Sequence, residues 1–599
     1  MTRTLKLIAL LVAIAAFTAT YAAYDLGFRR SPPAAILEDG SRASLQAATM
    51  EACFRVRVLA FFGDGQAAAQ WASCRAYLLR YQALDAVDLR SYGVMGSLGL
   101  GIAALFAFAL YVRFGGTAPK LLRGPRLHAG RGALEAFTSA ARRECRALGR
   151  GIAFLPGVAL SRDRESRHVL IWGSVGGGKT QTMLHLILAA IGRGDGVLVL
   201  DTKGDMMAGL PADPVPLLVA PHDRRSLVWD IAVDCKVKQD ARELAARFIP
   251  PSSDPMWSEA AQEIFVACLA HLQATRGTGW HWLDLYKAVT ADLETLATMA
   301  RDHHPPALRL LSQPESRTTQ SILSTFQTHM NTVAVLAEAW AESRAGRFSI
   351  RGWLHHPTPG RPLILQHDPG YPELSRIWIG SLLGVLASAV GSPNLSESRE
   401  RRIWLFLDEF PQLPPIRQFP AFLELGRSKG VVVVIGAQDI AQLRAAYGPE
   451  QAKSWMGMIG TKIITRINVS EAAEDASRLV GNQEIERQVK SRTSAQGRSS
   501  VTTSHHRESR RVVTAAEIAS HLGHMKDGVR VLVLGLGKDV YELVMPYITL
   551  PSFRAPTLPA DWTELPPAPP GKRPKGSKLP HRPTPLSKEM AERIRRIRH

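Results

Sequence analysis

Short apolar runs recur along this chain, and several of them end abruptly at polar residues. The clearest are rich in Val, Ile and Leu and occupy residues 168–173, 196–205, 360–368, 403–407, 430–440 and 460–468. Nearly continuous runs of this kind are typical of strands covered on both faces. Because helical patterns lie between them, we predict an α/β domain with a mostly parallel sheet flanked by helices. Ligands of such sheets bind at the carboxyl ends of the strands, where the polar residues stand.

Residues 240–347 show a different pattern. Apolar side chains recur there at helical spacing, and strand-like runs are missing. The segment interrupts the predicted strands, so we predict an all-helical insertion domain within the α/β domain. Its tryptophans are expected to be core residues or helix anchors rather than platforms for stacked bases; they are Trp257, Trp280, Trp282 and Trp340.

Two apolar runs are long enough to cross a membrane. Residues 7–24 and 91–112 carry no charge over about 18 and about 22 positions, the range that a spanning helix requires. Arg3 and Lys6 precede the first run, and Arg113 and Lys120 follow the second. Since cytoplasmic flanks are rich in Lys and Arg, we predict a transmembrane hairpin over residues 1–115 whose two ends lie in the cytoplasm. A cleaved signal peptide is the alternative for the first run, although its cleavage site would be poor.

Between the two runs, residues 25–90 are predicted to form a helical loop on the outer side of the membrane. Two helical patterns surround a turn at residues 63–65, and Cys53 and Cys74 stand almost symmetrically about it. In an antiparallel helix pair these cysteines would face each other, and an oxidising compartment would allow a disulfide. The alternative is that both are small core residues. Cys145, Cys235 and Cys268 lack metal-site spacing and are expected to be reduced and structural.

The charge of the chain indicates which class of partner it binds. Its 599 residues carry a formal net charge of +20, which favours a polyanion or an anionic membrane face. Residues 483–512 are rich in Arg and Ser and are predicted to form a mobile loop or ribbon, whose arginines either follow DNA phosphates or are simply solvated. Residues 552–599 combine Pro with basic residues and are predicted to be a disordered tail.

One motif carries specific chemistry. Residues 173–180 match the phosphate-binding pattern G-x-x-x-x-G-K-[ST] and read Gly173, Ser174, Val175, Gly176, Gly177, Gly178, Lys179 and Thr180. The glycines allow backbone N–H groups to surround the β-phosphate, Lys179 would meet the β- and γ-phosphates, and the Thr180 hydroxyl would bind Mg²⁺. An apolar strand precedes the motif and a helix follows it, as this loop requires. We therefore predict an ATP site.

An enzyme of this type also needs carboxylates. The apolar run 403–407 ends in Asp408 and Glu409. We assign Asp408 to the metal, which it would hold through water, and Glu409 to the polarisation of the attacking water. A pair of acidic residues after an apolar run is common by itself, so the assignment depends on its combination with the phosphate-binding loop.

On these residues the chain resembles the coupling proteins of type IV secretion and conjugation systems, the TraD-like branch of the RecA/FtsK-type motor ATPases. The resemblance covers most of the chain up to about residue 550 and rests on the two-span anchor and on four segments, GSVGGGKTQTM, VLDTKGDM, LFLDEFPQLP and FLELGRSKGVVVVIGAQDIAQL. It implies a ring, commonly of six subunits, at the bacterial inner membrane. That ring would take DNA, single-stranded or alternatively double-stranded, from relaxosome proteins and drive it toward the secretion channel.

The resemblance also implies roles for individual residues. Arg427 matches an arginine that reaches the nucleotide of the neighbouring subunit, and Gln438 matches a glutamine that senses the γ-phosphate. Lys429 is a candidate contact for phosphate or DNA. Acidic tails known in some relatives are not matched by the basic tail here, so the partner of that tail stays open.

Together, the patterns and the resemblance predict a RecA-like motor domain over residues 116–239 and 348–551, with the insertion at 240–347. The predicted function is ATP-driven translocation of DNA. The alternative is a membrane receptor that captures protein or nucleoprotein cargo and uses nucleotide only as an assembly switch. Stimulation of ATP turnover by DNA distinguishes the two.

Overall fold

The structure is a computed structural model that describes residues 14–30, 34–37, 39–61, 63–114, 119–211, 213–341, 345–413, 415–495 and 498–564. Residues 1–13 of the predicted hairpin and residues 565–599 of the predicted tail lie outside these ranges. The chain divides into two compact units, one made of residues 1–120 with 486–508 and the other of residues 121–485 with 509–599.

The smaller unit is mainly helical. Residues 14–24 are helical and continue into a π-helical segment, Asp25–Arg30. Two short antiparallel strands, Ala34–Ile36 and Arg42–Ser44, follow. The remaining helices of the unit are Ala47–Phe61, Gly65–Arg80 and Leu84–Phe114. The carboxylate of Asp64 starts the second of them, because it accepts the backbone N–H groups of Gln66 and Ala67.

Cys53 and Cys74 form a disulfide between the helices Ala47–Phe61 and Gly65–Arg80, with their Cα atoms 5.7 Å apart. The bridge that the spacing favours is therefore present. The other three cysteines are free, as expected.

Two helices in the described ranges are long and apolar enough to cross a membrane, Leu84–Phe106 and Pro372–Gly391. Only 17% of the apolar stretch of the first helix is buried inside the molecule, whereas 72% of that of the second helix is buried. The second helix contributes Trp378, Leu382 and Leu386 to the core of the larger unit, so it is a core helix whose apolar composition reflects burial in protein.

An eleven-stranded sheet organises the larger unit. Its strands in chain order are β1 (Leu127–His128), β2 (Val169–Trp172), β3 (Gly196–Asp201), β4 (Leu217–Val219), β5 (Leu363–Gln366), β6 (Ile403–Leu407), β7 (Val431–Ala437), β8 (Thr461–Ile464), β9 (Gly523–His524), β10 (Gly528–Leu534) and β11 (Val540–Pro546).

The strands are arranged in the order β1-β11-β10-β8-β2-β7-β6-β3-β5-β4, and β9 pairs with β10. All neighbours from β8 to β4 are parallel, whereas β10 is antiparallel to β8, β9 and β11. The predicted mostly parallel α/β sheet is confirmed. Strand β7 lies between β2 and β6, so the carboxyl ends of these three strands are adjacent.

Both faces of the sheet are covered by buried apolar side chains. The helices of this part of the chain are Gly130–Gly132, Ala133–Leu148, Arg162–Glu165, Lys179–Arg193, Asp205–Gly209, Ile231–Asp234, Ile350–His355, Pro372–Gly391, Phe410–Gln412, Pro420–Glu424, Gly426–Lys429, Ile440–Tyr447, Pro449–Met458, Glu471–Val480, Ala515–His521 and Asp561–Thr563.

Six consecutive helices follow the short helix Ile231–Asp234. They are Lys238–Phe248, Pro255–Arg276, Trp282–Val289, Leu293–His303, Pro305–Leu311 and Arg317–Ala341. A two-stranded parallel pair, Val228–Trp229 with Arg347–Phe348, brings the start and end of this segment together. Trp280, Trp282 and Trp340 are buried and Trp257 is partly buried, which agrees with a core role.

Several strands were not predicted from the sequence. Besides β1, β4 and the β9–β11 group, they include Lys120–Arg123 and the antiparallel pair Arg150–Leu155 and Val158–Ser161. The segment rich in Arg and Ser is a ribbon of two long strands, Asn482–Ala495 and Arg498–Arg511.

Candidate nucleotide site

The phosphate-binding loop connects β2 to the helix Lys179–Arg193. Gly176 and Gly178 have φ angles of +67° and +99°, in the left-handed region that glycine adopts without strain. The loop is held from the end of β8, because the N–H of Ser174 donates to the Arg466 carbonyl over 2.9 Å and the Ser174 hydroxyl accepts the Asn468 N–H over 2.9 Å. The loop is thus shaped by its own glycines and by the neighbouring strand.

A cavity opens at the carboxyl ends of the central strands. Its walls combine the loop with polar residues that follow β3 and β6: Ser174, Val175, Gly176, Gly178, Lys179, Thr180, Gln181, Asp201, Thr202, Lys203, Asp205, Asp408, Glu409 and His524 line it together with apolar residues. The predicted loop and the predicted carboxylates therefore share one cavity. Gly173 and Gly177 lie behind the wall, packed against Thr465 and the Arg466 carbonyl.

Lys179 and Glu409 form an ion pair in this cavity. The Lys179 side chain is only 5% exposed, and its Nζ lies 3.6 Å from Glu409 Oε1 and donates to the Ser174 carbonyl over 3.4 Å. A buried ammonium group that can donate to further acceptors is suited to a polyanion such as a phosphate chain.

Asp408 lies directly beside the start of the helix. Thr180 Oγ1 donates to Asp408 Oδ2 over 2.9 Å, so two hard oxygen donors stand together in the cavity. Gly436 on the adjacent strand β7 is required for this placement, because a Cβ at that position would overlap the Asp408 carboxylate. The neighbouring Glu409 has a φ of +57°, which is unusual for a residue other than glycine. Such strain occurs often at functional sites.

Gln438, at the end of β7, contacts Glu409 directly. Its Nε2 donates to Glu409 Oε2. The order of the strands explains this contact, because β7 is the direct neighbour of β6, and Glu409 follows the end of β6. The glutamine thus connects the carboxylate of Glu409 to the central strand of the sheet.

Arg427 is not among the described residues that line the cavity. It belongs to the short helix Gly426–Lys429, is half exposed, and its Nη2 donates to Asp163 Oδ1 over 2.6 Å. Lys429 instead points to protein: its Nζ donates to the carbonyls of Ser392 and Leu395, beyond the end of the helix Pro372–Gly391. Backbone oxygens therefore hold the Lys429 ammonium group, and they explain its position without a phosphate or DNA contact.

Asp201 has a structural role at the rim of the cavity. It is 3% exposed and accepts the N–H groups of Lys203, Gly204 and Met207, which fixes the turn after β3. Burial raises the pKa of its carboxyl above the ordinary value. The same turn places Lys203 and Asp205 in the cavity wall.

His168 joins three parts of the site. It directly precedes β2, accepts the Val433 N–H at Nδ1 over 3.1 Å, and bonds the Leu423 carbonyl through Nε2 over 3.1 Å. Because Nδ1 must accept, Nε2 carries the proton and donates. Leu423 belongs to the segment that leads to Arg427, so this histidine ties the loop strand to the Arg427 segment.

Sequence reasoning missed three residues of this region: His524, His168 and Asp163. His524 comes from a two-residue strand far along the chain, and the other two precede the loop in a stretch without a motif. Their importance depends on tertiary contacts, so no local pattern could have identified them.

Comparison with known proteins places this geometry in a family. The model of the type IV secretion-system coupling protein DNA-binding domain matches residues 153–540. Coupling protein TraD of Escherichia coli (strain K12) is 26% identical over 333 residues, which cover 54% of this chain and 45% of TraD. The match therefore spans about half the length of that curated relative.

Solved structures show the same fold. The bacterial conjugative coupling protein TrwBdeltaN70, in an unbound form, is 24% identical with a TM-score of 0.60 and covers 74% of this chain and 98% of its own. TrwB in complex with ADP and Mg²⁺ is 23% identical with a TM-score of 0.58 and covers 74% and 99%. At these identities the similarity establishes a TrwB-like α/β fold. Because the family model spans more than half of the sequence, the chain belongs to the coupling proteins of type IV secretion systems.

Proposed function

We propose that this chain is an ATPase anchored in the bacterial inner membrane that moves DNA into a type IV secretion channel during conjugation. One observation carries the proposal: a single cavity brings the phosphate-binding loop together with Asp408 and Glu409. Neither feature is specific alone, but a P-loop facing two carboxylates from another strand end is the arrangement that phosphoanhydride hydrolysis requires.

The residues present fit ATP with Mg²⁺. The left-handed glycines suit a loop whose backbone N–H groups surround a phosphate, Lys179 supplies the buried cation, and Thr180 with Asp408 supplies oxygen donors of the kind that Mg²⁺ prefers. When bound, the metal ion would neutralise part of the charge on the phosphate oxygens. TrwB structures in complex with ADP and Mg²⁺, with a GTP analogue and with an ATP analogue support this choice of ligand.

Glu409 is proposed to orient the attacking water and accept its proton. Gln438 holds one of the carboxylate oxygens and Lys179 lies near the other, so the position of the base depends on both. A change at the γ-phosphate would reach the central strand β7 through this contact. Gln438 is therefore proposed as the residue that reports phosphate loss to the sheet.

Arg427 is proposed to complete the site of a neighbouring subunit. It lies outside the cavity of its own chain, so it could offset charge on a phosphoryl group only in the cavity of another copy. This role requires a closed ring, and a homo-hexamer is the proposed assembly.

DNA is the proposed cargo. The net charge of +20 and the description of the matching family model as a DNA-binding domain support it. Relaxosome proteins and the secretion channel are the proposed partners on either side. The transmembrane hairpin of residues 1–115 is the proposed anchor, with the N-terminus, motor and tail in the cytoplasm; the exposed apolar helix Leu84–Phe106 and the relationship to TraD support it.

Steady-state ATPase activity of the purified chain tests the proposal. We expect single- or double-stranded DNA to stimulate turnover, and the stimulation to fall as salt rises because phosphate contacts are screened. Lys179→Ala and Glu409→Gln should each reduce turnover by about 100-fold or more. Normal turnover in either variant would refute the site. Turnover that is present but indifferent to DNA would favour the nucleotide-switched receptor.

A further inference from the structure

One side chain of the cavity wall has no place in the phosphate chemistry. His524 lines the cavity although it lies on β9, far from the loop in sequence. Its imidazole stacks on the Tyr547 ring with the ring centroids 5.7 Å apart and the planes 14° from parallel. Both side chains are exposed, and Tyr547 is 40% exposed. The cavity is thus bordered by one ring of a stacked aromatic pair.

Hydrogen bonding fixes the tautomer of this histidine when it is neutral. The Tyr547 hydroxyl donates its only proton to the Met525 carbonyl over 2.8 Å. The same hydroxyl lies 2.9 Å from His524 Nδ1, so Nδ1 must be the donor of that bond. Nε2 then carries a lone pair and is an acceptor. A ring of this kind can accept a hydrogen bond from a hydroxyl or an amino group as well as stack.

The pair is fixed relative to the phosphate-binding loop at two points. His524 pairs with Val529 on β10, and Val529 packs so closely on Gly178 that a Cβ there would overlap it. On the other side, the Gln181 amide exchanges two hydrogen bonds with the backbone of Ile548, the residue after Tyr547, at 3.2 Å and 3.0 Å. The distance between the aromatic pair and the loop is therefore set by the fold.

We propose that His524 forms the nucleoside subsite of the cavity, with Tyr547 as its positioning residue. This inference rests on the proposed ATP site. The loop can hold only the phosphate chain, so the sugar and base must contact another part of the wall. Of the wall residues, His524 offers a flat, exposed ring with an acceptor, which suits a base face and its amino group or a ribose hydroxyl. Stacking tolerates any purine, so adenine and guanine nucleotides should be accepted alike.

The test compares a nucleotide with a ligand that lacks the nucleoside. Dissociation constants for a non-hydrolysable ATP analogue and for inorganic tripolyphosphate, both with Mg²⁺, are measured on the full-length protein in detergent. His524→Ala should weaken binding of the ATP analogue about tenfold, which is in the lower part of the range for loss of one stacked base. The dissociation constant for tripolyphosphate should stay within about twofold of its original value. Binding of a GTP analogue should weaken by the same factor. Retained tripolyphosphate binding also shows that the variant is folded.

Three further variants sharpen the result. Tyr547→Phe keeps the stacked ring but loses the hydroxyl. We therefore expect a smaller loss of affinity, again for nucleotides and not for tripolyphosphate. His521→Ala removes a nearby exposed histidine that does not line the described cavity and should change neither constant. Lys179→Ala should weaken both ligands.

The opposing outcomes are distinct. An unchanged ATP constant in His524→Ala, or an equal loss for both ligands, overturns the subsite, because the second result would place the imidazole on the phosphates. If the unaltered protein bound neither ligand, the proposed ATP site itself would fail.

Discussion

At the residue scale, the fold restricts the ionisation of His168. It is 2% exposed, and both ring nitrogens are used, one as acceptor and one as donor. Burial lowers its pKa from the ordinary 6.5 to about 4, and the nearby Arg427 acts in the same direction. Protonation would place a charge in the core and destroy the bond from Val433.

This pKa predicts a pH dependence of stability. Above about pH 6.5 the folded and unfolded states are both neutral at His168, and its contribution is complete. As the pH falls from 6.5 towards 4, the unfolded state takes up a proton that the folded state does not, so up to about 3 kcal/mol is lost. We expect His168→Gln to flatten the fall in thermal stability over this range. Exposed His355→Gln should keep the original slope, and equal slopes in all three proteins would contradict the prediction.

The residues of the cavity differ in how well the sequence identifies them. Residues 173–180 form a contiguous motif, and Asp408 and Glu409 follow an unbroken apolar run, so local pattern was sufficient to bring them into one hypothesis. The role of Gln438 was reached only through a family resemblance. His524 became visible only in the structure, because its contact with the cavity arises from the pairing of β9 with β10.

At the element scale, the burial of a strand determines whether the sequence pattern predicts it. Strands β2, β3, β5, β6 and β7 are buried at every position and read as continuous apolar runs. Strands β10 and β11 are interrupted by Arg530 and Glu542, which form an ion pair across the strands at 3.6 Å. Their pattern is therefore mixed, and periodicity did not reveal them.

The disulfide in the smaller unit gives a prediction at this scale. The bridge closes a loop of 21 residues, for which the chain-entropy model gives about 3 kcal/mol of stabilisation. Cys53→Ser should therefore make the helices Ala47–Phe61 and Gly65–Arg80 cleave faster in limited trypsin digestion. Reductant should bring the unaltered protein to the same rate. Cys145→Ser, at a free cysteine, is the matched control, and a digestion rate insensitive to reductant would show that the helices do not need the bridge.

At the scale of the whole molecule, the separation of Arg427 from its own cavity is the main indication of assembly. Arg427 is half exposed and does not line the described cavity of its own chain, so it would act on a phosphoryl group only in the cavity of another copy. In a closed ring, each heterologous interface would combine the cavity of one subunit with Arg427 of the next. Asp163 would have to release the guanidinium for that contact, and one hydrogen-bonded pair exposed to water costs only about 1 kcal/mol to exchange.

Mixing two inactive variants tests this arrangement. Arg427→Ala should bind nucleotide normally yet lose turnover by about 1,000-fold or more, since such arginines act on the transition state. Lys179→Ala lacks a working cavity but keeps Arg427. When the two are mixed before assembly at equal amounts, about one interface in four should join an intact cavity to an intact arginine, and turnover should rise towards about a quarter of the original. Arg444→Ala, which removes a similarly exposed arginine paired with Asp475 at 2.7 Å, should leave turnover unchanged. Activity in the mixture no greater than the sum of the separate variants would mean that Arg427 does not act across subunits.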